Sequence, residues 1–397
     1  MTANRITSNS VSQPGGVRSR VAPAVPNVEK GSRRIIALDS LRGLAALIVV
    51  FHHLDNTLDL DGSNKVLGPI LHHSPLRLFV DGRSAVMLFF VLSGFALSIS
   101  IGKNFNYWTY LIRRLCRLMI PCIAGVLLAA AAYLMVAPQP IPQLGAWFNQ
   151  VLWNEPVTAG LVARHILMTG SQADCSLINV LWSLVIELRI SLIFPALYFL
   201  AKGRTKTAAI VAVGMELLFR YLVMRSNNYV PFFNRNITEA FENIGYYTPL
   251  FIAGILAREN MDAIRRFIAR FHKIFVFAAL LIGIRLVESG EDIQIGIGAI
   301  LIIILCVGAP YISNALSIKP IEWLGRVSYS LYLVHLTLLA TIFHLFYGRI
   351  NSIVLSAAVV IGSLVLAQVF HVLVEDPSIR LGRKLTARKK LTDPVTV

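Results

Sequence analysis

The sequence predicts an all-α, polytopic integral membrane protein with about ten transmembrane helices. Its composition is the first reason, since 56% of the 397 residues are hydrophobic and only 15% are charged, against about 25% in an average soluble domain. The second reason is that the apolar residues form long runs, many close to the roughly 20 residues that a helix needs to cross a bilayer. These runs are too long and too continuously apolar for barrel strands, so helices are the expected spanning elements.

The predicted spans follow one another along almost the whole chain and are separated by short polar segments. They lie near residues 35–54, 80–101, 118–136, 179–200, 207–224, 240–257, 274–288, 293–311, 326–347 and 352–374. Within the fifth of these, Glu216 and Arg220 are four residues apart, a spacing that predicts an ion pair along one helix face.

The charged residues lie between the spans and predict the orientation of the chain. The net charge is +16. Lys and Arg are concentrated in both tails and in the loops after spans two, four, six and eight. Because cytoplasmic loops carry the excess of basic residues, we expect both termini in the cytoplasm. Orientation therefore accounts for the positive charge, and nucleic-acid binding is not expected.

The chain divides into one membrane domain and two basic tails. Residues 1–32 are rich in Ser, Pro, Val and Arg and are expected to form a disordered cytoplasmic tail. Residues 33–379 form the predicted transmembrane domain, and residues 380–397 a second basic cytoplasmic tail. The four cysteines and nine histidines show no metal-ligand spacing, so no metal site is expected.

The first span carries three ionisable residues on one face. From Arg42 to His53 the helix turns through about 1100° and rises about 16 Å, which returns the side chain close to the same face. Asp39 falls near this face as well. Two interpretations are open: an interfacial Asp39–Arg42 ion pair with a histidine at the membrane boundary, or a functional stripe with His53 as a general base.

Polar residues also share faces of two later spans. Ser183, Glu187 and Ser191 are spaced by four residues in span four, so Glu187 can meet Arg42, His53 or another buried arginine such as Arg189. In span nine, Ser328, Tyr332 and His335 form a similar stripe. These residues can line a cavity or form hydrogen bonds between helices.

Several separated motifs lie along the chain, within or next to the predicted spans. They are LDSLRGLAA at residues 38–46 followed by His53, FFVLSGF at residues 89–95, RLCR at residues 114–117 followed by Pro121, WSLVIE at residues 182–187 followed by FP at residues 194–195, LGRVSYSLYLVH at residues 324–335, and VEDP at residues 374–377. Together they span nearly the whole chain, and they resemble the motifs of membrane acyltransferase family 3, in the order of that family.

The resemblance implies a fold, a donor and roles for individual residues. Ten helices are expected around a shared polar cavity that acyl-coenzyme A enters from the cytoplasm as donor substrate, with no permanently bound cofactor. The expected catalytic residues are His53, Arg42 and Glu187. His53 is expected to act as the base or to accept the acyl group itself, and Arg42 to stabilise the carbonyl oxygen or orient His53 through water.

The remaining expected site residues bind the donor or line the cavity. Arg114 and Arg117 are expected to bind the phosphates of coenzyme A, although residues at this position also suit positive-inside anchoring. The residues expected to line the cavity are Asp39, Ser183, Tyr332 and His335.

The sequence therefore favours a membrane-bound O-acyltransferase, an enzyme that transfers groups other than aminoacyl groups. The expected reaction moves a short acyl group, with acetyl as the first choice, from cytoplasmic acyl-coenzyme A to a hydroxyl of a surface saccharide or glycolipid precursor. The expected location is a bacterial inner membrane. The alternative is a transporter or channel that uses Arg42 and His53 as a substrate or proton relay.

Overall fold

A computed structural model describes residues 27–64, 66–102, 104–171, 175–225 and 233–387, with side chains from residue 36 onward. Of the described residues, 81% are helical, and they form no strand. The predicted all-α class is therefore confirmed.

The helices follow one another with short connections. Their bounds are α1 (Asn27–Leu58), α2 (Leu60–Ser63), α3 (Leu67–His72), α4 (Gly82–Ser100), α5 (Tyr107–Val136), α6 (Ala146–Gln150), α7 (Ala159–Leu167), α8 (Leu181–Ala201), α9 (Thr205–Arg225), α10 (Ile237–Glu259), α11 (Met261–Ile268), α12 (Lys273–Val287), α13 (Asp292–Gly308), α14 (Pro310–Leu316), α15 (Lys319–Phe346), α16 (Ser352–Phe370) and α17 (Asp376–Leu385). A 3₁₀ turn covers Pro75–Phe79, and a π-helical turn, His371–Glu375, joins α16 to α17.

Among the described residues, seven helical segments are long and apolar enough to cross a membrane, or eight if α13 and α14, which meet at 99°, form one broken span. The predicted total of ten is not confirmed. The difference lies in α10 and α12, which cover the predicted spans 240–257 and 274–288. Neither is among the helices that are long and apolar enough to cross a membrane. Helix α12 has only 15 residues, and α10 carries three Glu residues and an Arg in its 23 residues.

The predicted tails lie partly outside the described residues. Residues 1–26 and 388–397 are not described. Helix α1 begins at Asn27 and α17 ends at Leu385, so both helices extend into segments assigned to the tails.

Glycines allow the central helices to cross closely. A Cβ atom added to Gly43 of α1 would lie 2.5 Å from the backbone nitrogen of Gly325 in α15. A Cβ on Gly94 of α4 would collide with the backbone of Phe251 in α10, and one on Gly254 with that of α4. Small residues bring backbones together in this way within membranes. The two crossings fix α1, α4, α10 and α15 as the centre of the bundle.

The outer helices present apolar side chains away from the bundle. In α9, only 11% of the apolar 18-residue stretch is buried inside the bundle. Ile210, Leu217 and Tyr221 of this helix are each more than half exposed. Such faces are costly in water and suited to lipid. The protein is an integral membrane protein.

Candidate active site

Two cavities lie within the bundle and meet at one place. The larger, of about 700 Å³, is lined by several arginines, among them Arg42, Arg114 and Arg117, and we term it the arginine cavity. The smaller, of about 350 Å³, is lined by His52 and His53 and is termed the histidine cavity. Of the described residues, Val86 and Tyr332 alone line both cavities. The two cavities therefore share a boundary formed by α4 and α15.

Helix α1 contributes to both cavities. Arg42 lines the arginine cavity and His53 the histidine cavity. The eleven residue-to-residue steps from Arg42 to His53 correspond to a rise of about 16 Å, so their common face spans the boundary between the cavities. The two side chains predicted to act together are thus separated along the helix.

The imidazole of His53 is enclosed by two parallel rings. Trp147 of α6 stacks on it with 4.7 Å between ring centroids, and His335 of α15 stacks with 5.4 Å. The residue is only 6% exposed, and its Nδ1 is buried with no hydrogen-bond partner among the described residues. The stacking fixes the plane of the ring, while the side chain still lines the cavity.

The neighbouring His52 uses both of its ring nitrogens. Its Nδ1 donates to the carbonyl oxygen of Val80 at 2.8 Å, and Nε2 accepts from the Asn56 amide at 3.1 Å. A Cβ on Gly82 would lie 2.5 Å from Cδ2 of His52, so the start of α4 packs tightly on this ring. His52 therefore holds α1 to α4, and His53 is the adjacent histidine without such bonds.

His335 supports His53 from inside the bundle. It is fully buried and is not among the residues that line either cavity. Its Nδ1 donates to the carbonyl oxygen of Leu331 at 3.0 Å, which leaves Nε2 as the acceptor nitrogen of a neutral ring. Within the described part of the chain, Nε2 has no hydrogen-bond partner.

Glu187 is bound to Arg114 within the arginine cavity. Nη2 of Arg114 lies 2.5 Å from Oε1 of Glu187, and the Ser93 hydroxyl donates to the same oxygen at 2.9 Å. Nε of Arg114 donates to the hydroxyl of Ser191 at 2.9 Å. Arg189 turns away and donates to Asn234 and to a backbone carbonyl. Of the partners considered from the sequence, Glu187 thus pairs with neither Arg189 nor His53.

The other two arginines of the cavity differ in their partners. Arg42 lies 3.5 Å from Asp39, so the ion pair that the sequence offered as one interpretation is present. Arg117 faces the cavity and forms no hydrogen bond or ion pair with the described residues. Its guanidinium donors are therefore available to a ligand.

Tyr332 stands at the boundary of the two cavities. Its hydroxyl lies 2.6 Å from that of Ser183 on α8, and its ring meets the edge of Phe89 on α4 at 5.6 Å between centroids. Tyr332 is only 5% exposed. The predicted polar faces of α8 and α15 meet through this hydrogen bond.

A family model described as an acyltransferase domain, that of acyltransferase family 3, matches residues 35–372. The chain belongs to acyltransferase family 3. A comparison with curated proteins finds no match.

Family membership decides between the two classes of function that the sequence left open. The protein is a membrane acyltransferase of the class that transfers groups other than aminoacyl groups. The matched residues include every helix from α2 to α16 and all the lining residues of both cavities except Glu375, Asp376 and Ile379, so both cavities lie almost wholly within the acyltransferase domain.

Two features of the acyltransferase site were missed by sequence reasoning. Trp147 lies on a five-residue helix outside the predicted spans, and no periodicity there indicated a contact with His53. His371 and Glu375 lie on the π-helical turn and line the arginine cavity, with Nδ1 of His371 3.0 Å from Glu375. The VEDP motif marks this turn but gave no role for its glutamate.

Among the described residues, no cluster of His, Cys, Asp and Glu has the geometry to hold a metal ion.

Proposed function

We propose that this acyltransferase moves a short acyl group, with acetyl as the first choice, from acyl-coenzyme A to a hydroxyl of a surface saccharide or glycolipid precursor. The observation that carries the proposal is the junction of the two cavities. A cavity rich in guanidinium groups, suited to an anionic donor, meets a second cavity that holds an enclosed histidine. A donor and an acceptor can thus enter separately and react at the boundary.

The arginine cavity suits the donor because coenzyme A carries phosphate groups. Guanidinium groups bind phosphate through charge-assisted, often bidentate hydrogen bonds. The guanidinium donors of Arg117 are available to a ligand, and Arg42 and Arg114 line the same cavity. Arg114 is oriented by Glu187 and Ser191, so we assign Glu187 a positioning role at the donor site.

The distribution of basic residues supports a donor site on the cytoplasmic side. Lys and Arg are concentrated in the tails and in alternate loops, which are cytoplasmic by the positive-inside rule. Arg113, Arg326 and Asp376 line the arginine cavity near these segments. We infer that both termini are cytoplasmic, that the membrane is a bacterial inner membrane, and that the histidine cavity receives the acceptor.

His53 is the proposed general base. The acceptor hydroxyl oxygen attacks the thioester carbonyl carbon while the ring nitrogen of His53 that faces the cavity takes the hydroxyl proton. The carbon–sulfur bond then breaks, and the departing thiolate receives this proton from His53. The products are the acylated hydroxyl and the free thiol of coenzyme A, with no net gain or loss of protons.

The stacked rings prepare His53 for this role. Trp147 and His335 hold the plane of the imidazole, and a fixed base loses less freedom on reaching the transition state. Arg42 lies on the donor side, where it can bind the donor or stabilise the carbonyl oxygen.

The test follows thiol release and acyl incorporation by the purified protein in nanodiscs, with acetyl-coenzyme A and extracted surface glycans. We expect turnover by the wild type and by His344→Ala, and a loss of at least 100-fold in His53→Ala with thioester binding retained. His344 is the matched control because it stacks on Phe148 and Trp153 and lines neither cavity.

Three results would each contradict a part of the proposal. Failure of the folded wild type to bind any acyl-coenzyme A removes the donor assignment. Full turnover by His53→Ala removes the base assignment. An acyl-imidazole on His53, trapped during turnover and detected by mass spectrometry, would replace direct transfer by a covalent route.

A further inference from the structure

The boundary between the two cavities is formed by buried side chains. Val86 of α4 and Tyr332 of α15 line both cavities, yet they are only 4% and 5% exposed. Their side chains therefore form a closely packed wall and leave little open space at the junction. Any group passing between donor and acceptor has to fit against these two residues.

Tyr332 is held in place from two directions. Its hydroxyl is hydrogen-bonded to Ser183 of α8 at 2.6 Å, and Phe89 of α4 meets its ring edge-on. Ser183 also donates to the carbonyl oxygen of Val180 at 3.1 Å. Because these bonds are buried, the ring cannot move aside without leaving polar groups unpaired. The wall is therefore rigid on the side of Tyr332.

The reacting carbon must lie at this wall if the proposed function holds. The donor's anionic part is assigned to the arginine cavity, and the base that meets the acceptor hydroxyl lies across the junction. The thioester carbonyl has to reach the acceptor oxygen, so the acyl chain attached to it lies against Val86 and Tyr332.

We propose that Val86 and Tyr332 select the acyl group by its length. This inference rests on the proposed function and adds to it the determinant of the donor's acyl chain. A close-packed apolar wall accepts a short chain and excludes a longer one, since one methylene in such a pocket changes specificity by about 10–200-fold. Val86 sets the space available, and the Ser183–Tyr332 hydrogen bond keeps it constant.

The experiment compares kcat/KM for acetyl-, propionyl- and butyryl-coenzyme A, measured as thiol release with the glycan acceptor in nanodiscs. We expect Val86→Ala to raise the butyryl-to-acetyl ratio at least tenfold over the wild type. Val86→Ile, which adds one methylene, should lower the propionyl-to-acetyl ratio at least fivefold. Tyr332→Phe, which loses the bond to Ser183, should raise the butyryl-to-acetyl ratio as well.

Val91→Ala is the matched control. Val91 is fully buried on the same helix and lines neither cavity, and it lies where Gly254 of α10 approaches α4. It undergoes the same loss of volume, and we expect its ratios to stay within twofold of the wild type. Equal shifts in Val86→Ala and Val91→Ala would mean that loosened packing, not the wall, changes specificity.

The outcomes distinguish a failure of this inference from a failure of the proposed function. If the wild type turns over no thioester of any length, the proposed function fails and the selection by length fails with it. The wild type can turn over acetyl-coenzyme A while Val86→Ile and Val86→Ala show the same propionyl-to-acetyl and butyryl-to-acetyl ratios of kcat/KM as the wild type. In that case only the inference is overturned. If Val86→Ala does not fold, the conservative Val86→Ile decides in the same way.

Discussion

The imidazole rings of His53 and His335 lie nearly parallel, 16° apart with 5.4 Å between their centroids. The two residues come from α1 and α15, the helices that cross at Gly43 and Gly325. His335 is fully buried behind His53 and hydrogen-bonded to its own helix. The contact makes the position of the proposed base depend on a residue that lines neither cavity.

Replacing His335 should therefore lower activity through His53. We expect His335→Ala to reduce kcat by about 10–100-fold, because a small displacement of a catalytic group has effects of this size. His335→Phe keeps a flat ring against His53 and should retain much more of the activity. The measurement is kcat for acyl transfer with KM determined alongside. Equal kcat values for the two variants would show that stacking is not what positions His53.

The ion pair between Arg114 and Glu187 should couple stability to donor binding. The side chains are only 10% and 18% exposed, and removing one partner of a buried pair costs about 3–5 kcal/mol. We expect Glu187→Gln to lower the thermal unfolding midpoint and to weaken binding of acyl-coenzyme A. Both follow because Arg114 loses the carboxylate that orients it.

Glu216→Gln is the control for this prediction. Glu216 forms a similar ion pair with Arg220 at 2.7 Å, and neither residue lines a cavity. We expect reduced stability with an unchanged Kd for the thioester. A parallel loss of affinity in both variants would indicate a general effect of destabilisation.

Arg117 should contribute to donor binding without contributing to stability. It forms no hydrogen bond or ion pair with the described residues, and a hydrogen bond to a charged group is worth about 1.5–3 kcal/mol. We therefore expect Arg117→Ala to raise the Kd of acyl-coenzyme A by about 10–150-fold with an unchanged unfolding midpoint. Arg265→Ala, which removes a basic residue paired with Asp262 outside the cavities, should leave the Kd unchanged. Titration of both variants at constant ionic strength tests this.

Local patterns in the sequence predicted what lies within one helix. The four-residue spacing of Glu216 and Arg220 predicted their ion pair, and the three-residue spacing of Asp39 and Arg42 offered theirs as one of two interpretations. Such contacts need only helical geometry. The apolar runs likewise predicted the helices, because a bilayer imposes their length and composition.

Contacts between distant segments could not be predicted in this way. Arg114 and Glu187 are 73 residues apart, and the partners that the sequence suggested for Glu187 did not include Arg114. The stacking of Trp147 on His53 depends on where a short connecting helix packs. The helical period places Arg42 and His53 on one face, but it does not reveal the wall that divides this face between two cavities.

The crossing of α1 and α15 leads to a prediction about folding. A Cβ at Gly43 would lie 2.5 Å from the backbone nitrogen of Gly325, and backbone atoms at a helix crossing cannot move aside cheaply. Overpacking of this kind costs about 1–3 kcal/mol or more, so we expect Gly43→Ala to lower the unfolding midpoint. Because α1 carries His53 and α15 carries His335, activity should fall with the unfolding midpoint.

Gly214→Ala on α9 is the control for this prediction. An added Cβ there meets nothing within 4 Å, so this variant should be as stable and active as the wild type. Equal unfolding midpoints for the two variants, measured in the same detergent, would contradict the close crossing.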